Sequence, residues 1–235
     1  MVENRKAIYI AILNQGEIAA ELSQLLNVLI TSTDFYLFVD YSAEKPISYN
    51  RNCIVKRFLE RKQYDYLMMI DSDIVPPANI LDLILYDKDI ISPVCFAYTK
   101  KSLFPLVLKQ QRKKAPGSKY KAYESIRPDK WKGLLEVDAV GTGAIIIKRE
   151  VLEKIPYPFR NEYDKTGEKQ IGLDINFCFR VKKLGFKIFC HTDYISSHWT
   201  RFDLRNIYYT MTEEYKKREK LEEELKLLKK SVKNK

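Results

Sequence analysis

Apolar and polar positions alternate in blocks over the first hundred residues. Four continuous runs of apolar, β-forming residues each predict a buried parallel strand; they lie at 7–13, 35–40, 66–71 and 89–96. Residues 18–30 and 50–62 have apolar residues at helical spacing, and the two prolines at 76–77 predict the start of another helix. Strands that alternate with helices predict a doubly wound, mostly parallel α/β sheet flanked by helices.

The second half of the chain has a different pattern. Residues 109–132 are polar and lysine-rich, which predicts a mobile loop or an irregular hairpin. Residues 134–148 have strand character that Gly141 and Gly143 interrupt, and 175–185 predict a helix.

These patterns predict one domain and a tail. We expect the domain over 1–210, with halves at 1–100 and 101–210, followed by a charged amphipathic helix over 211–235. The leucine spacing of that helix fits packing on its own domain, self-association as a coiled coil, or contact with a membrane surface.

Composition narrows the class of protein. The chain has 235 residues, 46% of them apolar, which suits a sizeable core, and no apolar run approaches a membrane span. The first apolar run is short and has no small-residue cleavage site, so we expect no signal peptide. Four cysteines without a Cys-x-x-Cys motif indicate reduced thiols and a cytoplasmic location. Two histidines exclude a multi-histidine metal site.

The net charge of +10 is concentrated in two segments. Residues 109–132 hold nine basic and two acidic side chains, residues 211–235 hold nine and six, and the remainder is balanced. Such confinement argues against a broad nucleic-acid face, so we expect no specific nucleic-acid partner. It favours a local site for phosphates, an anionic acceptor or a membrane surface.

The most informative motif follows the third apolar run. Asp71 and Asp73 stand at the carboxyl end of a buried strand, where open α/β sheets bind their ligands. Two carboxylates at this spacing can hold a divalent cation, and the alternative is a turn whose aspartate caps the next helix. Because the strand is apolar, acids at its end need compensation for lost hydration.

The order of several motifs resembles that of GT-A glycosyltransferases, close to the family 2 type and its phage and prokaryotic relatives. The likeness covers roughly residues 5–200, and its parts are Arg51-Asn52, the Asp-Ser-Asp at 71–73, VDAVGTGAIIIKREVL at 137–152, GLDINFCFRVKKLGFKI at 172–188, and His198. The segment at 76–96 also resembles Anp1-type mannosyltransferases, which are a retaining class.

The resemblance implies a metal and a donor. The donor would be a nucleotide-diphosphate sugar, UDP- or GDP-linked, and the metal would be Mn²⁺ or Mg²⁺. Asp71 would lie near the ribose and, together with Asp73 and His198, would be a metal ligand. The alternative for His198 is a polar residue that caps a strand end beside Trp199.

Asp174 falls where inverting relatives have a catalytic carboxylate. The resemblance implies that it takes the proton of the acceptor hydroxyl. This chain has Leu173 and Asn176 where relatives have further acids, so a single aspartate would serve. The alternative is that Asp174 caps the following helix.

Further residues are candidates for binding the donor. Those at the end of the first strand would hold the nucleotide base at the sheet edge, those near the Asp-Ser-Asp motif would contact the nucleotide, and the two glycines would let the sugar approach the backbone. The three groups are Asn14, Gln15 and Gly16; Arg51 and Ser72; and Gly141 and Gly143. Arg51 on a solvated helix face and a β-bulge at the glycines are the alternatives.

These expectations favour a metal-dependent hexosyltransferase, inverting through Asp174, that acts on a glycan, lipid-linked or protein hydroxyl. Residues 211–235 would provide peripheral membrane contact or self-association. One alternative is a non-catalytic module that binds glycan or nucleic acid on the same fold. The other is a nucleotidyltransferase, although such enzymes have a basic, glycine-rich stretch after the first strand and NQGEIAAEL lacks one.

Overall fold

The chain is described from a computed structural model. The described residues are 6–14, 16–99 and 102–200, together with positions 204, 205, 207–209, 211–214, 216, 217, 220, 221 and 224. Gln15 and residues 225–235 therefore lie outside the described residues. The chain divides into two units, Met1–Trp199 and Thr200–Lys235, and the described positions from 204 to 224 in the second unit are helical.

The strands in chain order are β1 (Ala7–Leu13), β2 (Tyr36–Ser42), β3 (Tyr66–Asp71), β4 (Ile74–Val75), β5 (Ile90–Val94), β6 (Phe96–Thr99), β7 (Ser102–Pro105), β8 (Val107–Lys114), β9 (Lys121–Ser125), β10 (Leu134–Val137), β11 (Ala139–Val140), β12 (Ala144–Lys148), β13 (Glu162–Tyr163), β14 (Lys169–Ile171), β15 (Ile188–Ile195) and β16 (Ser197–His198). The α-helices are α1 (Ala20–Ser32), α2 (Ile47–Glu60), α3 (Arg149–Glu153) and α4 (Leu173–Lys183). Two 3₁₀ helices lie at Ile80–Tyr86 and Pro128–Lys130.

The described residues form a seven-stranded central sheet in the order β10-β15-β5-β12-β3-β1-β2. Strands β2, β1, β3, β5 and β15 run in one direction, and β12 and β10 run in the other. The mostly parallel α/β sheet that the sequence predicts is confirmed. Its carboxyl edge carries the ends of β1 and β3 side by side, because Leu13 is paired with Asp71.

Burial on both faces explains why the central strands are continuously apolar. In β1, Tyr9 and Ala11 belong to one core cluster, while Ile8, Ile10 and Ile12 belong to the other. Full burial of one such side chain contributes about 1.5–3 kcal/mol to folding. The edge strand β2 is only partly buried, which agrees with its single neighbour in the sheet.

The helix expected after the two prolines is a 3₁₀ helix, and its left-handed end residue, Asp87, has φ 50°. Helix α4 begins at Leu173 with Gly172 as its N-cap, two residues earlier than expected. Gly185 follows its end with φ +89°, a conformation that glycine adopts at low cost. No helix among the described residues is both long and apolar enough to cross a membrane.

The basic segment is an ordered hairpin, one of the two structures that its sequence predicts. Strands β8 and β9 pair antiparallel, and β11 adds to the other side of β8. The tip is anchored, because the Ser118 hydroxyl donates to the Gln170 carbonyl at 3.0 Å and the Tyr120 hydroxyl donates to Glu162. We call β8–β9 and its turn the basic hairpin.

Candidate functional site

The Asp-Ser-Asp turn is fastened to the loop that follows β1. The Ser72 amide donates to the Leu13 carbonyl at 3.0 Å, and the Ala19 amide donates to the Ser72 carbonyl at 2.9 Å. In that loop the Gly16 amide donates to the Asn14 side chain at 2.6 Å, and Gly16 has φ +115°. The structure therefore brings Asn14, Gly16 and Ser72 to one edge of the sheet, as the sequence predicts for neighbouring strand ends.

Arg51 holds the first acid of the turn. Its Nη2 donates to both carboxylate oxygens of Asp71, at 2.8 and 3.0 Å, and its Nη1 donates to the Thr142 carbonyl at 3.0 Å. Arg51 is only 3% exposed, so it does not lie on a solvated helix face. A buried guanidinium at this position supplies the compensation that an apolar strand ending in an acid requires.

Three carboxylates converge at this edge. Burial raises the pKa of Asp71, the Arg51 guanidinium opposes that rise, and the charges of Asp174 and Asp73 add to it. These acids are separated by up to 103 positions in the chain numbering. Arg51 bonds to Asp71 and to the Thr142 carbonyl, and the Thr142 hydroxyl bonds to Asp174, so the fold links these two distant acids through two intervening residues.

Asp174 is tied to this group through Thr142. The Thr142 hydroxyl donates to Asp174 Oδ1 at 2.5 Å, and Thr142 is fully buried. Asp174 lies in the first turn of α4, whose N-cap is Gly172 without a side-chain cap, so the capping alternative is wrong. We name Arg51, Asp71, Thr142 and Asp174 the strand-end cluster. Sequence reasoning missed Thr142, although a hydroxyl between two glycines was a signal.

The two glycines beside Thr142 have a structural reason. A Cβ at Gly141 would lie 2.4 Å from Leu106 Cδ1 and 3.2 Å from Leu106 Cβ, so the Leu106 side chain would have to move to admit it. A Cβ at Gly143 would lie 3.1 Å from Ile74 Cγ1 and 3.4 Å from Asp71 Oδ2. The Gly143 carbonyl also accepts the Asp71 amide at 2.8 Å. Both glycines therefore permit close packing around the turn, and their contact with a donor sugar stays a prediction.

Asp73 faces His198. Their Oδ2 and Nε2 atoms are 3.3 Å apart, and their side chains are 53% and 32% exposed. Strand β16 pairs with β4, and the Trp199 amide donates to the Asp73 carbonyl at 2.8 Å, which holds the two segments together. We call Asp73 and His198 the open pair.

The hydrogen bond on the far side of the His198 ring determines its tautomer. Nδ1 lies 2.8 Å from the Phe96 carbonyl, which can only accept, so Nδ1 carries the proton. In the neutral ring the Nε2 lone pair then points at a carboxylate oxygen. Two facing acceptors need a proton or a cation between them, and a carbonyl behind the ring is typical of a metal-ligating histidine.

The open pair fits a metal ion by donor type, with one carboxylate and one imidazole. Within the described residues no three His, Cys, Asp or Glu side chains are grouped closely enough to hold a metal ion by themselves. Asp71, which the sequence also predicts as a ligand, is bonded to Arg51. The arrangement therefore suits a cation that receives its remaining ligands from a bound substrate and water.

A second polar network lies beside the cluster and was not predicted. Asp40 on β2 accepts from the Tyr9 hydroxyl at 2.5 Å and from Arg57 Nε at 2.9 Å. Burial, together with the Asp40 bond, raises the pKa of Tyr9 to about 12. Arg57 also donates to the Ser42 hydroxyl at 2.7 Å, and the Ser42 carbonyl accepts the Asn14 amide at 2.8 Å. This network supports the loop after β1.

The four cysteines are free thiols, as the sequence predicts. Cys95, Cys178 and Cys190 are buried, and burial raises the pKa of each thiol to about 12. Such thiols are un-ionised at neutral pH and behave as core residues.

No protein-family model matches the sequence, and no curated protein matches it. Among solved structures, the chain is similar to A197 from STIV, with a TM-score of 0.55 and 19% identity, over 83% of this chain and 86% of that chain. It is similar also to GalNAc-T7, crystallised with UDP, GalNAc and Mn²⁺, with a TM-score of 0.55 and 14% identity. That likeness covers 86% of this chain and 45% of GalNAc-T7, so the chain spans less than half of that protein. These similarities show that the chain has a GT-A-like fold.

Proposed function

We propose that the protein is a metal-dependent glycosyltransferase that transfers a hexosyl group from a UDP- or GDP-linked sugar to an acceptor hydroxyl with inversion. The observation that carries the proposal is the convergence of the strand-end cluster and the open pair at the carboxyl edge of β3. Ligands of open α/β sheets bind at this edge. A GT-A-like neighbour crystallised with UDP, GalNAc and Mn²⁺ supports the same class of donor and metal.

Asp73 and His198 would hold the cation, Mn²⁺ or Mg²⁺, with phosphate oxygens of the donor and water as further ligands. A cation bound there neutralises charge on the departing nucleoside diphosphate. The Phe96 carbonyl keeps the His198 Nε2 lone pair available for this role.

Asp71 has a different role from Asp73 in this proposal. An ionised carboxylate has about four lone-pair sites, and Arg51 occupies two of them. The remaining sites would accept hydroxyl groups of the donor ribose. Arg51 therefore positions Asp71 and, through the Thr142 carbonyl, the segment that carries the two glycines.

Asp174 would be the general base. The Thr142 hydroxyl occupies Oδ1 and orients the carboxylate, so Oδ2 can accept the proton of the acceptor hydroxyl. As that proton moves to Asp174, the acceptor oxygen bonds to the anomeric carbon and the bond from that carbon to the phosphate oxygen breaks. In this proposal Asp174 alone acts as the general base at a place where relatives have further acidic residues.

The test is a screen of UDP- and GDP-sugars for Mn²⁺-dependent release of nucleoside diphosphate. We expect Asp73→Asn and His198→Gln each to lower the release by about 10²-fold or more, because each removes one of two protein ligands. Asp174→Asn should retain donor binding and lose transfer by about 10²–10⁴-fold, the usual contribution of general base catalysis.

The matched control is Asp129→Asn, which removes an exposed carboxylate whose one ion-pair partner among the described residues is Arg127. We expect this control to keep full activity. Wild-type turnover by Asp73→Asn, or turnover independent of any divalent cation, would reject the proposed metal site. Unchanged transfer by Asp174→Asn would remove its role as base.

A further inference from the structure

A cavity of about 190 Å³ lies beside the carboxyl end of α4, away from Asp174. Its lining residues combine aromatic rings with hydrogen-bonding and charged groups: Gln110, Tyr123, Asp138, Phe179, Lys182 and Lys183. We call it the α4 pocket. The proposed function leaves it without a role.

The distance from the pocket to Asp174 follows from two contacts along α4. Thr142 bonds to Asp174 at one end of the helix, and Asp138 pairs with Lys182 near the other. Strand β11 lies between Asp138 and Thr142 and packs on α4. Eight residues of α-helix separate Asp174 from Lys182, a rise of about 12 Å. The pocket residue Lys182 is therefore on the same helix as the proposed base, about 12 Å further along its axis.

The lining suits a sugar ring. The Gln110 side-chain amide donates to the Tyr123 hydroxyl at 3.1 Å, so an amide and a phenol present hydrogen-bonding groups side by side. Phe179 adds apolar ring surface to the lining, and the Lys183 ammonium lies over the ring, 4.4 Å from its centroid. Sites for small ligands typically place a small number of converging polar groups among aromatic surfaces.

Charge determines which kind of sugar fits. The Asp138 carboxylate forms an ion pair with Lys182 and also accepts a hydrogen bond from the backbone amide of Gln110 at 2.8 Å. Lys183 has no carboxylate partner among the described residues. The pocket therefore has an excess of positive charge. This favours a sugar that carries a carboxylate or a phosphate.

The basic hairpin extends that positive surface. Lys121 and Tyr123 are two residues apart on β9, so they share one face of the strand. Lys121 is paired directly with Lys114 on β8, and like charges in such a position are destabilising on their own. Among the described residues no carboxylate pairs with Arg112, Lys113, Lys114 or Lys121.

The hairpin that carries these cations is anchored at its tip. At the hairpin tip the Lys119 amide donates to the Gln170 side chain at 3.2 Å, and Tyr120 packs edge-on against Phe179 at 5.4 Å. The anchored tip joins the cationic ribbon to the wall of the α4 pocket. A preformed surface binds its ligand with a smaller entropy cost than a mobile loop would.

We propose that the α4 pocket and the adjoining cations of the basic hairpin bind an anionic saccharide, with a carboxylate- or phosphate-bearing sugar in the pocket. The assignment of this saccharide to the acceptor rests on the proposed function, because α4 carries both Asp174 and the pocket residues Lys182 and Lys183. The binding itself requires neither donor nor metal.

The experiment is titration calorimetry on the whole chain without donor or metal. The probes are short oligogalacturonates, glucose 6-phosphate and neutral galacto-oligosaccharides, so that carboxylate and phosphate are tested separately. We expect binding of at least one anionic probe, weakening as salt is added, and at least tenfold weaker binding of the neutral probe.

The variant is the double charge reversal Lys114→Glu/Lys121→Glu, whose sites are exposed and not part of any core. It should weaken binding of the anionic probe by about tenfold, which corresponds to about 1.4 kcal/mol. The matched control, Lys62→Glu/Lys154→Glu, reverses two exposed lysines outside the hairpin and should bind like the wild type.

Three results would overturn the inference: equal affinity for neutral and anionic probes, equal loss in the variant and its control, or tighter binding of a short RNA than of any anionic sugar at the same salt. Donor hydrolysis, measured in parallel, separates the two proposals. Oligogalacturonate binding without any donor hydrolysis would reject the transferase while the anionic-saccharide site stands. Donor hydrolysis without binding of an anionic saccharide would reject the anionic-saccharide site while the transferase proposal stands.

Discussion

The strand-end cluster and the basic hairpin differ in whether their charged side chains have partners. In the cluster, Arg51 is buried and bonded to both oxygens of Asp71, and the buried Thr142 satisfies Asp174. In the hairpin, exposed lysines stand opposite each other without compensation. Burial makes an unpaired charge costly, whereas water screens charges at the surface. Uncompensated charge can therefore persist where water reaches it, and at such a position it is also accessible to a ligand.

The open pair lies between these two extremes. Asp73 and His198 sit next to the buried cluster but are partly exposed, and they present facing acceptor atoms. The neighbouring cluster holds their supporting segments, while the pair itself keeps space for a ligand. Four predictions test this contrast between compensated and uncompensated charge, from the largest effect to the smallest.

The largest effect is expected for Arg51→Ala. It leaves the partly buried carboxylate of Asp71 without its partner, so the free energy of unfolding should fall by about 2–3 kcal/mol. Urea denaturation measures this change. Arg127→Ala, which breaks an exposed pair with Asp129, should lower it by less than about 0.5 kcal/mol. Similar losses in the two variants would contradict the contrast.

Thr142→Val should have the next largest effect. It removes the hydroxyl that donates to Asp174 while keeping the volume, and we expect a loss of about 1–2 kcal/mol in the free energy of unfolding. Thr142→Ser retains the hydroxyl and serves as the control for both stability and transfer activity. If serine and valine behave alike in both measurements, the hydrogen bond does not orient Asp174.

The hairpin tip should show a pH dependence of stability. The hydrogen bond from Tyr120, with Lys119 and Arg160 nearby, lowers the pKa of Glu162 against the smaller effect of burial. The folded state therefore binds the proton more weakly than the unfolded state does. The resulting stability is present above the unfolded pKa and is lost as pH falls through the folded pKa.

Denaturant melts of the wild type and Glu162→Gln measure this contribution. The two proteins should differ at about pH 6, and the difference should shrink as the pH falls through the lowered folded-state pKa of Glu162 and the carboxyl becomes protonated. A difference that stays constant over this range would show that Glu162 does not anchor the tip through its charge.

The smallest effect has the opposite sign. Lys121→Glu replaces a like-charged pair with Lys114 by an opposite one, so stability should rise by about 0.2–0.5 kcal/mol. The same variant should bind oligogalacturonate more weakly. A gain in stability with a loss of binding would show that the hairpin retains these lysines for a ligand. A loss of stability would show that the pairing of the two lysines is not unfavourable.

Much of the fold was predictable because strands that are buried on both faces of a sheet have continuous runs of apolar residues in the sequence. Ala7–Leu13 and Tyr66–Asp71 are strands with the predicted bounds. The predicted acids at the end of β3 do lie at the sheet edge with Asp174 nearby. The nature of the helix at Ile80–Tyr86 was not predictable, because apolar spacing alone does not separate a 3₁₀ helix from an α-helix.

The contact partners of individual side chains were less predictable than the positions of the strands and helices. Arg51 has the sequence context of an exposed helical residue, yet it is buried against Asp71. Thr142 has no signal beyond its two glycine neighbours. Of the aromatic residues in the basic segment, Tyr120 and Trp131 anchor the hairpin and its exit to the body, whereas Tyr123 lines the α4 pocket. The predicted helix over 211–235 is helical at its described positions, and the remainder lies outside them.

The sequence by itself determined the α/β class, the order of the early strands and helices, and the strand end that carries Asp71 and Asp73. Each of these features depends on the local pattern of apolar and polar residues, which can be read from a short stretch of the sequence. Only the tertiary structure decided that Arg51 would neutralise Asp71, that Thr142 would hold Asp174, and that a pocket would form beneath the basic hairpin. Those contacts join segments far apart in the chain, and no local pattern specifies which distant polar group will meet a buried charge.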